Sequence, residues 1–108
     1  MRGAREMRAK PRLEWRARAR ADLLEIVAYI ADDNPDAAQD FVEDIEARVA
    51  KIIDHPKLYK ASVRVKGMRE MVVGENYVVL YRATALLVEV VNVLHARRQW
   101  PPLKERKP

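Results

Sequence analysis

Hydrophobic positions along the chain change their period twice, and each change marks a new kind of element. After Pro11, in Arg12-Leu13-Glu14-Trp15-Arg16, Leu13 and Trp15 alternate with charges, the period of a strand buried on one face. From Ala19 the period lengthens. Ala19, Leu23, Ile26, Val27 and Ile30 fall on one stripe of an α-helix. Asp22 and Glu25 sit in its early turns, where a carboxylate meets the positive end of the helix dipole, and the helix should end near Asp32-Asp33. Asn34-Pro35-Asp36 reads as a restart, with asparagine as N-cap and proline at the first helical position. The second helix puts Ala38, Phe41, Val42, Ile45, Val49, Ile52 and Ile53 on one face and Gln39, Asp40, Glu43 and Glu46 on the other. It stops before His55-Pro56, with His55 as a helix C-terminal residue. Two amphipathic helices joined this tightly fold back as an antiparallel hairpin.

After a loop over 57–62 the strand period returns. Residues 63–73, 77–82 and 86–94 are β-branched and aromatic-rich runs, separated by Gly74-Glu75-Asn76 and Ala83-Thr84-Ala85, connections of hairpin length. They predict a three-stranded antiparallel meander, with the Leu13–Trp15 strand completing the sheet at an edge. The fold class is therefore α+β in the order β-α-α-β-β-β: an antiparallel sheet with a helical hairpin packed on one face, since neither layer can bury its apolar side alone. Residues 1–10 read as a flexible basic N-terminus, 11–101 as a single domain, and 102–108 as a basic tail after Pro101.

Composition narrows the class. At 108 residues with 49% hydrophobic content there is one core and no room for a second. The longest apolar stretch, within 86–94, is broken by Glu89 and Asn92, far short of a bilayer span, and no apolar run follows the basic start as a secretory signal requires. The chain has no cysteine, which removes disulfides, thiolate metal sites and cysteine nucleophiles together and fits a reducing cytoplasm. The net charge of +5 hides an asymmetry. Residues 1–20 carry eight Lys/Arg against Glu6 and Glu14, 21–54 carry ten acids against Arg48 and Lys51, and 55–108 carry eleven Lys/Arg against four acids. The acidic middle is in the plainest case a solvated helical face; the basic flanks suit a polyanion or an acidic protein.

Candidate chemistry is sparse. His55 and His95 are the only histidines, without the paired spacing of a zinc site. Gly3, Gly67 and Gly74 are isolated, so there is no phosphate loop, and there is no nucleophile elbow. What remains is His95-Ala96-Arg97-Arg98-Gln99-Trp100, with Arg69 and Arg82 on neighbouring strands. Arginines with an aromatic suit phosphate binding and base stacking. They equally suit docking against a partner's carboxylates. A third reading has Arg69 paired with Glu70 or Glu89 and Trp100 covering the end of the sheet. A metal-free nuclease further needs a general acid and base within hydrogen-bond reach of the phosphate, and His95 is the only imidazole available for that.

Taken together, residues 15–30 (WRARARADLLEIVAYI), Asn34-Pro35 with Ala37, Ala38 and Phe41, GMRE at 67–70, YVVLYR at 77–82 and VLHARRQWP at 93–101 resemble the RelE/ParE toxin superfamily over roughly residues 12–101. The resemblance implies the same β-α-α-β-β-β fold and a toxin expressed with an antitoxin. That antitoxin has a DNA-binding amino-terminal part and a carboxy-terminal segment that folds on the toxin, and the complex regulates its own operon. RelE-like members cut mRNA on the ribosome with basic residues on the sheet and a tyrosine or histidine near the carboxyl end. Here Val73 or Gly74 stands where those ribonucleases commonly carry an arginine, and Pro101-Pro102 stands near their terminal aromatic. Arg98 matches one basic position and His95 substitutes at another, so the set is incomplete. ParE-like members lack it and poison DNA gyrase, and the HARRQWP ending is similar to that branch. The expectation is a cytoplasmic, non-enzymatic gyrase-directed toxin without cofactor or metal, held in a hetero-oligomer with a ParD-like antitoxin, touching DNA only through that antitoxin. Target contacts are expected from Arg69, Arg82, His95, Arg97, Arg98 and Trp100, and antitoxin contacts from Arg64, Lys66, Tyr77 and Tyr81. The alternatives are a ribosome-dependent endoribonuclease using His95, Arg69, Arg82 and Arg98, or a degenerate antitoxin-binding member without toxicity.

Overall fold

In the computed structural model, residues 10–96 are described, and the element order is the expected one: β1 (Arg12–Trp15), α1 (Ala17–Asp33), α2 (Pro35–Asp54), β2 (Arg69–Val73), β3 (Tyr77–Ala83) and β4 (Leu87–His95). Asn34 is both the end of one helix and the start of the next. Its N–H donates to the Ile30 carbonyl at 2.8 Å, and its Oδ1 accepts from the Ala37 N–H at 3.1 Å. One extended residue (φ −153°, ψ 95°) thus satisfies backbone groups on both sides of the joint, with Pro35 following where its missing N–H costs nothing. His55 caps α2, its N–H reaching the carbonyls of Ile52 and Lys51.

The sheet runs β1-β4-β3-β2. β2, β3 and β4 form the antiparallel meander. The β1 edge strand differs from the expected antiparallel sheet: it pairs with β4 in parallel, Arg12 opposite Leu87 through Trp15 opposite Val90. The sheet is therefore mixed. Alternating hydrophobicity reports which face a strand buries and carries no information on its direction, which the long helical connection sets here. Between Leu80 and Tyr81 the register slips against β4, so that Leu80 faces Asn92 and Tyr81 faces Val90, leaving Val91 as the extra residue of a β-bulge.

The helical hairpin covers one face. Ala19, Phe41, Ile45, Val49 and Ile52 pack on Met71, Val73, Val79, Tyr81, Val88, Val90 and Val93, all buried. The opposite face is not left bare. Val78, Leu80 and Leu94 form a second cluster under Val65, Met68 and Ala96, so the segment expected to extend β2 back to residue 63 instead turns under the sheet. Gly67, at φ 88°, takes a backbone conformation that residues with a Cβ rarely adopt. The Ser62 hydroxyl accepts from the N–H groups of Arg64 and Val65 at 2.9 and 3.0 Å, closing a local turn that competes with strand.

That turn is locked by charge. Glu70, on β2 and 5% exposed, accepts from the Ser62 hydroxyl at 2.7 Å and the Arg64 guanidinium at 2.9 Å. Burial alone raises the pKa of this carboxyl; the two hydrogen bonds and the Arg64 charge outweigh it and hold it below its ordinary value of 4.5. Arg64 also donates to the Ala96 carbonyl at 2.8 Å, joining loop, β2 and the end of β4.

Candidate functional site

The strands distribute the candidate residues over two ends of the sheet. At one end Arg69 opens β2 opposite Tyr81, and Arg82 on β3 stands opposite Glu89 on β4. Successive strand residues point to opposite faces. Arg69 therefore shares the helix-covered face with Tyr81, and Arg82 lies on the reverse face. Arg69 donates to the Tyr59 carbonyl at 2.7 Å and borders a groove of about 750 Å³ with His55, Lys57, Leu58 and Thr84. Arg82 approaches the Glu89 carboxylate at 3.5 Å, and Arg16 holds the other oxygen at 2.8 Å. Arg69 does not pair as expected with Glu70 or Glu89: Arg64 occupies the first, and Arg82 and Arg16 the second.

His95 lies at the far end, opposite Tyr77. Tyr77 is five residues from Arg82 along β3, about 16 Å at a strand's rise. The sheet therefore does not bring His95 together with Arg69 and Arg82. Arg97, Arg98 and Trp100 lie outside the described residues.

Around His95 the structure builds a second concavity. Phe41, Tyr77 and His95 form an edge-to-face series with ring centroids 5.2 and 5.3 Å apart. Beside them a groove of about 580 Å³ opens between α1 and the end of β4, bordered by Asp22, Glu25, Ile26 and Tyr29. It exists because β1 stops at Trp15, opposite Val90, leaving the rest of that β4 edge without a strand neighbour among the described residues. Asp22 takes over part of that edge. One of its oxygens accepts from the Val93 N–H at 3.0 Å and from the Asn92 side chain at 2.8 Å. The dipole role expected for Asp22 and Glu25 does not apply: α1 begins at Ala17 and has no acid in its first turn. Asp22 is a tie to the sheet instead.

Of the remaining candidates, Tyr81 has no exposed surface. Its hydroxyl donates to the Pro56 carbonyl at 3.1 Å, and burial raises its pKa, so a partner docking on the folded chain does not touch it. A tyrosine in YVVLYR looks surface-seeking only because its face depends on register. Arg64 is committed to Glu70 and Ala96. Lys66 is exposed and Tyr77 is half-buried. Tyr29 escaped the sequence reading and Ile26 was read only as part of the core-facing stripe, although Asp22, Glu25, Ile26 and Tyr29 fall at i, i+3, i+4 and i+7, one helical face. Among the described residues no group of three or more His, Asp or Glu is placed to hold a metal, and no helix is long and apolar enough to cross a membrane.

Comparison with known proteins gives a consistent result. Residues 13–100 match the family model described as the ParE toxin of the type II toxin–antitoxin system parDE. A protein of Sinorhizobium fredii (strain NBRC 101917 / NGR234) that carries a toxin name, Y4kP, is 37% identical over 94 residues, covering 86% of this chain and 96% of the relative. Toxin RelE2 of Caulobacter vibrioides (strain ATCC 19089 / CIP 103742 / CB 15) is 32% identical over 84 residues, 78% of this chain and 93% of the relative. A solved structure of the chromosomal ParDE TA system from P. aeruginosa superposes with a TM-score of 0.71 over 82% of this chain and 98% of its own, at 19% identity. It supports the fold alone.

Proposed function

The chain belongs to the ParE toxin family of type II toxin–antitoxin systems, and from that membership we propose that it arrests growth by binding DNA gyrase and is neutralised by a cognate ParD-like antitoxin in the cytoplasm. One observation carries the non-enzymatic reading: His95 stands about 16 Å from Arg82 along β3, and Arg69 and Arg82 face opposite ways. A general acid or base must come within about 3 Å of the proton it moves. A protein partner has no such requirement, because a standard interface covers roughly 800 Å² on each side and spans both ends of this sheet. Arg69, Arg82, His95, Arg97, Arg98 and Trp100 are proposed to meet the target, and Lys66 and Tyr77 the antitoxin. The family's description as the toxin of the parDE system supports an antitoxin of the ParD kind.

Purified protein should inhibit negative supercoiling by gyrase and accumulate covalent gyrase–DNA cleavage complexes at stoichiometric ratios. An inert gyrase reaction alongside halted translation would reject the reading. The name of the C. vibrioides relative, Toxin RelE2, favours a second reading, cleavage of translated mRNA. Primer extension on messages from induced cells separates the two, since only an endoribonuclease creates new 5′ ends. Unimpaired growth on expression without antitoxin would point to a member that has lost toxicity.

A further inference from the structure

The groove that Arg69 borders lies between the 55–58 turn and the β3–β4 turn, and the chain itself fixes both walls. The Tyr81 hydroxyl ties the first to the sheet through the Pro56 carbonyl at 3.1 Å. The Leu58 N–H closes that turn on the His55 carbonyl at 2.9 Å. In the second, the Thr84 hydroxyl accepts from the Leu86 and Leu87 N–H groups at 3.2 and 3.0 Å. A concavity of about 750 Å³ has the size of a ligand site, and walls already ordered lose little freedom when it is filled.

The lining is one-sided in charge. Arg69 and Lys57 border the groove, and no Asp or Glu does. Asp54, the acid nearest in sequence to the 55–58 turn, is held by Lys10 at 2.9 Å. Arg16, Arg48, Arg64 and Arg82 each have a carboxylate partner. Arg69 is half-buried and forms no ion pair among the described residues; its guanidinium is steered by the Tyr59 carbonyl at 2.7 Å. A guanidinium partly withdrawn from water without a counter-charge favours a carboxylate from outside, whose geometry matches its planar fork. The remainder is apolar. Leu58 stays 49% exposed although it borders a concavity, and Pro56, Ala83 and Ala85 add small apolar surface. No aromatic ring lines the groove, so the unstacked bases of an RNA strand find no platform there.

We propose that this groove docks an extended acidic segment of a partner protein, with one carboxylate on Arg69 beside Lys57 and one leucine-sized side chain on Leu58. The choice of a protein occupant rests on the protein-binding reading above; the groove's own chemistry supplies the acid and the apolar anchor.

Fluorescence polarisation of the full-length chain with a fluorescein-labelled peptide, Asp-Glu-Leu-Asp-Glu blocked at both ends, reads the groove whether or not gyrase is the target. Saturable binding is expected, and the neutral peptide Asn-Gln-Leu-Asn-Gln should not bind. Arg69→Met should weaken binding about tenfold. Leu58→Ser should weaken it severalfold, and because Leu58 is exposed this variant keeps the test open if loss of Arg69 disturbs folding. Arg20→Met, an equal loss of charge at an exposed position on α1, should leave binding unchanged. Four results overturn the proposal: no saturable binding; equal weakening by Arg20→Met and Arg69→Met, which makes the attraction one of net charge; displacement of the peptide by oligouridylate as readily as by unlabelled peptide, which makes the site a phosphate reader; or self-association in sedimentation that Arg69→Met abolishes, which makes a second copy the occupant. An inert gyrase reaction with peptide binding as described rejects the gyrase target and keeps the groove; inhibited gyrase without peptide binding does the reverse.

Discussion

Replacing Arg64 with methionine removes the cation from a carboxylate that has almost no access to water. Glu70 is 5% exposed, and without the Arg64 guanidinium it keeps the Ser62 hydroxyl and the backbone N–H at position 64. Breaking a buried pair from one side costs about 3–5 kcal/mol. The Arg64 side chain is itself 23% exposed, so water relieves part of the penalty, and about 2–3 kcal/mol is expected near neutral pH. For a domain of this size that lowers Tm by on the order of 10–20 °C. The loss should depend on pH in a defined direction. In the parent, Glu70 is held below its ordinary value of 4.5, so its contribution is complete above that value and fades as the pH falls through the lower folded value. In R64M, burial without the guanidinium raises the folded value, so the carboxylate destabilises at neutral pH and acid relieves it. The difference between the two proteins is therefore widest around neutrality and narrows in mild acid. Urea unfolding of both proteins across that range measures it, and adding Glu70→Gln to R64M should recover much of the loss at neutral pH. A pH-independent difference, or no recovery in the double variant, would refute the reasoning.

Other consequences are equally direct. Asn34→Ala removes the acceptor that caps α2 and should cost about 1 kcal/mol in chemical denaturation. Asp22→Ala leaves the Val93 N–H and the Asn92 amide without their acceptor, a loss of about 1–3 kcal/mol that hydrogen exchange should register as faster opening at Val93. Ile45→Ala, at a site with no solvent exposure, should cost about 2–5 kcal/mol by leaving a cavity under α2; a loss well under that range would mean the helix collapses onto the gap. His95→Ala should weaken growth arrest only modestly, since one contact among many in an interface commonly costs about 1 kcal/mol or less, and complete loss of arrest in a protein that remains folded would favour a catalytic imidazole.

Periodicity was enough for the elements because each buries a single face: the α2 stripe through Ala38, Phe41, Ile45, Val49 and Ile52 is the buried face in the structure, and Asn34-Pro35 punctuates the helices where expected. It failed where long-range geometry decides. The direction of β1 left no trace in the alternation of Leu13 and Trp15. Residues 63–68 are apolar enough for a strand, yet Gly67 and the Ser62 turn send Val65 and Met68 beneath the sheet, and nothing local shows that Val78, Leu80 and Leu94 need cover there. The candidate site was legible as residue types and not as an arrangement. Arg69, Arg82 and His95 are visible in sequence, but the strand register that separates them emerges only when β3 and β4 pair. Tyr81 and Arg64 read as surface groups because the partners that occupy them, the Pro56 carbonyl and Glu70 with Ala96, come from elsewhere in the fold.

Pulse labelling of cells just after induction without antitoxin tests the central claim most directly, by following DNA and protein synthesis side by side. A toxin that acts by binding gyrase should suppress thymidine incorporation first, while leucine incorporation continues. Collapse of leucine incorporation ahead of any change in DNA synthesis would contradict the account and assign the arginine-bearing sheet to the translation machinery.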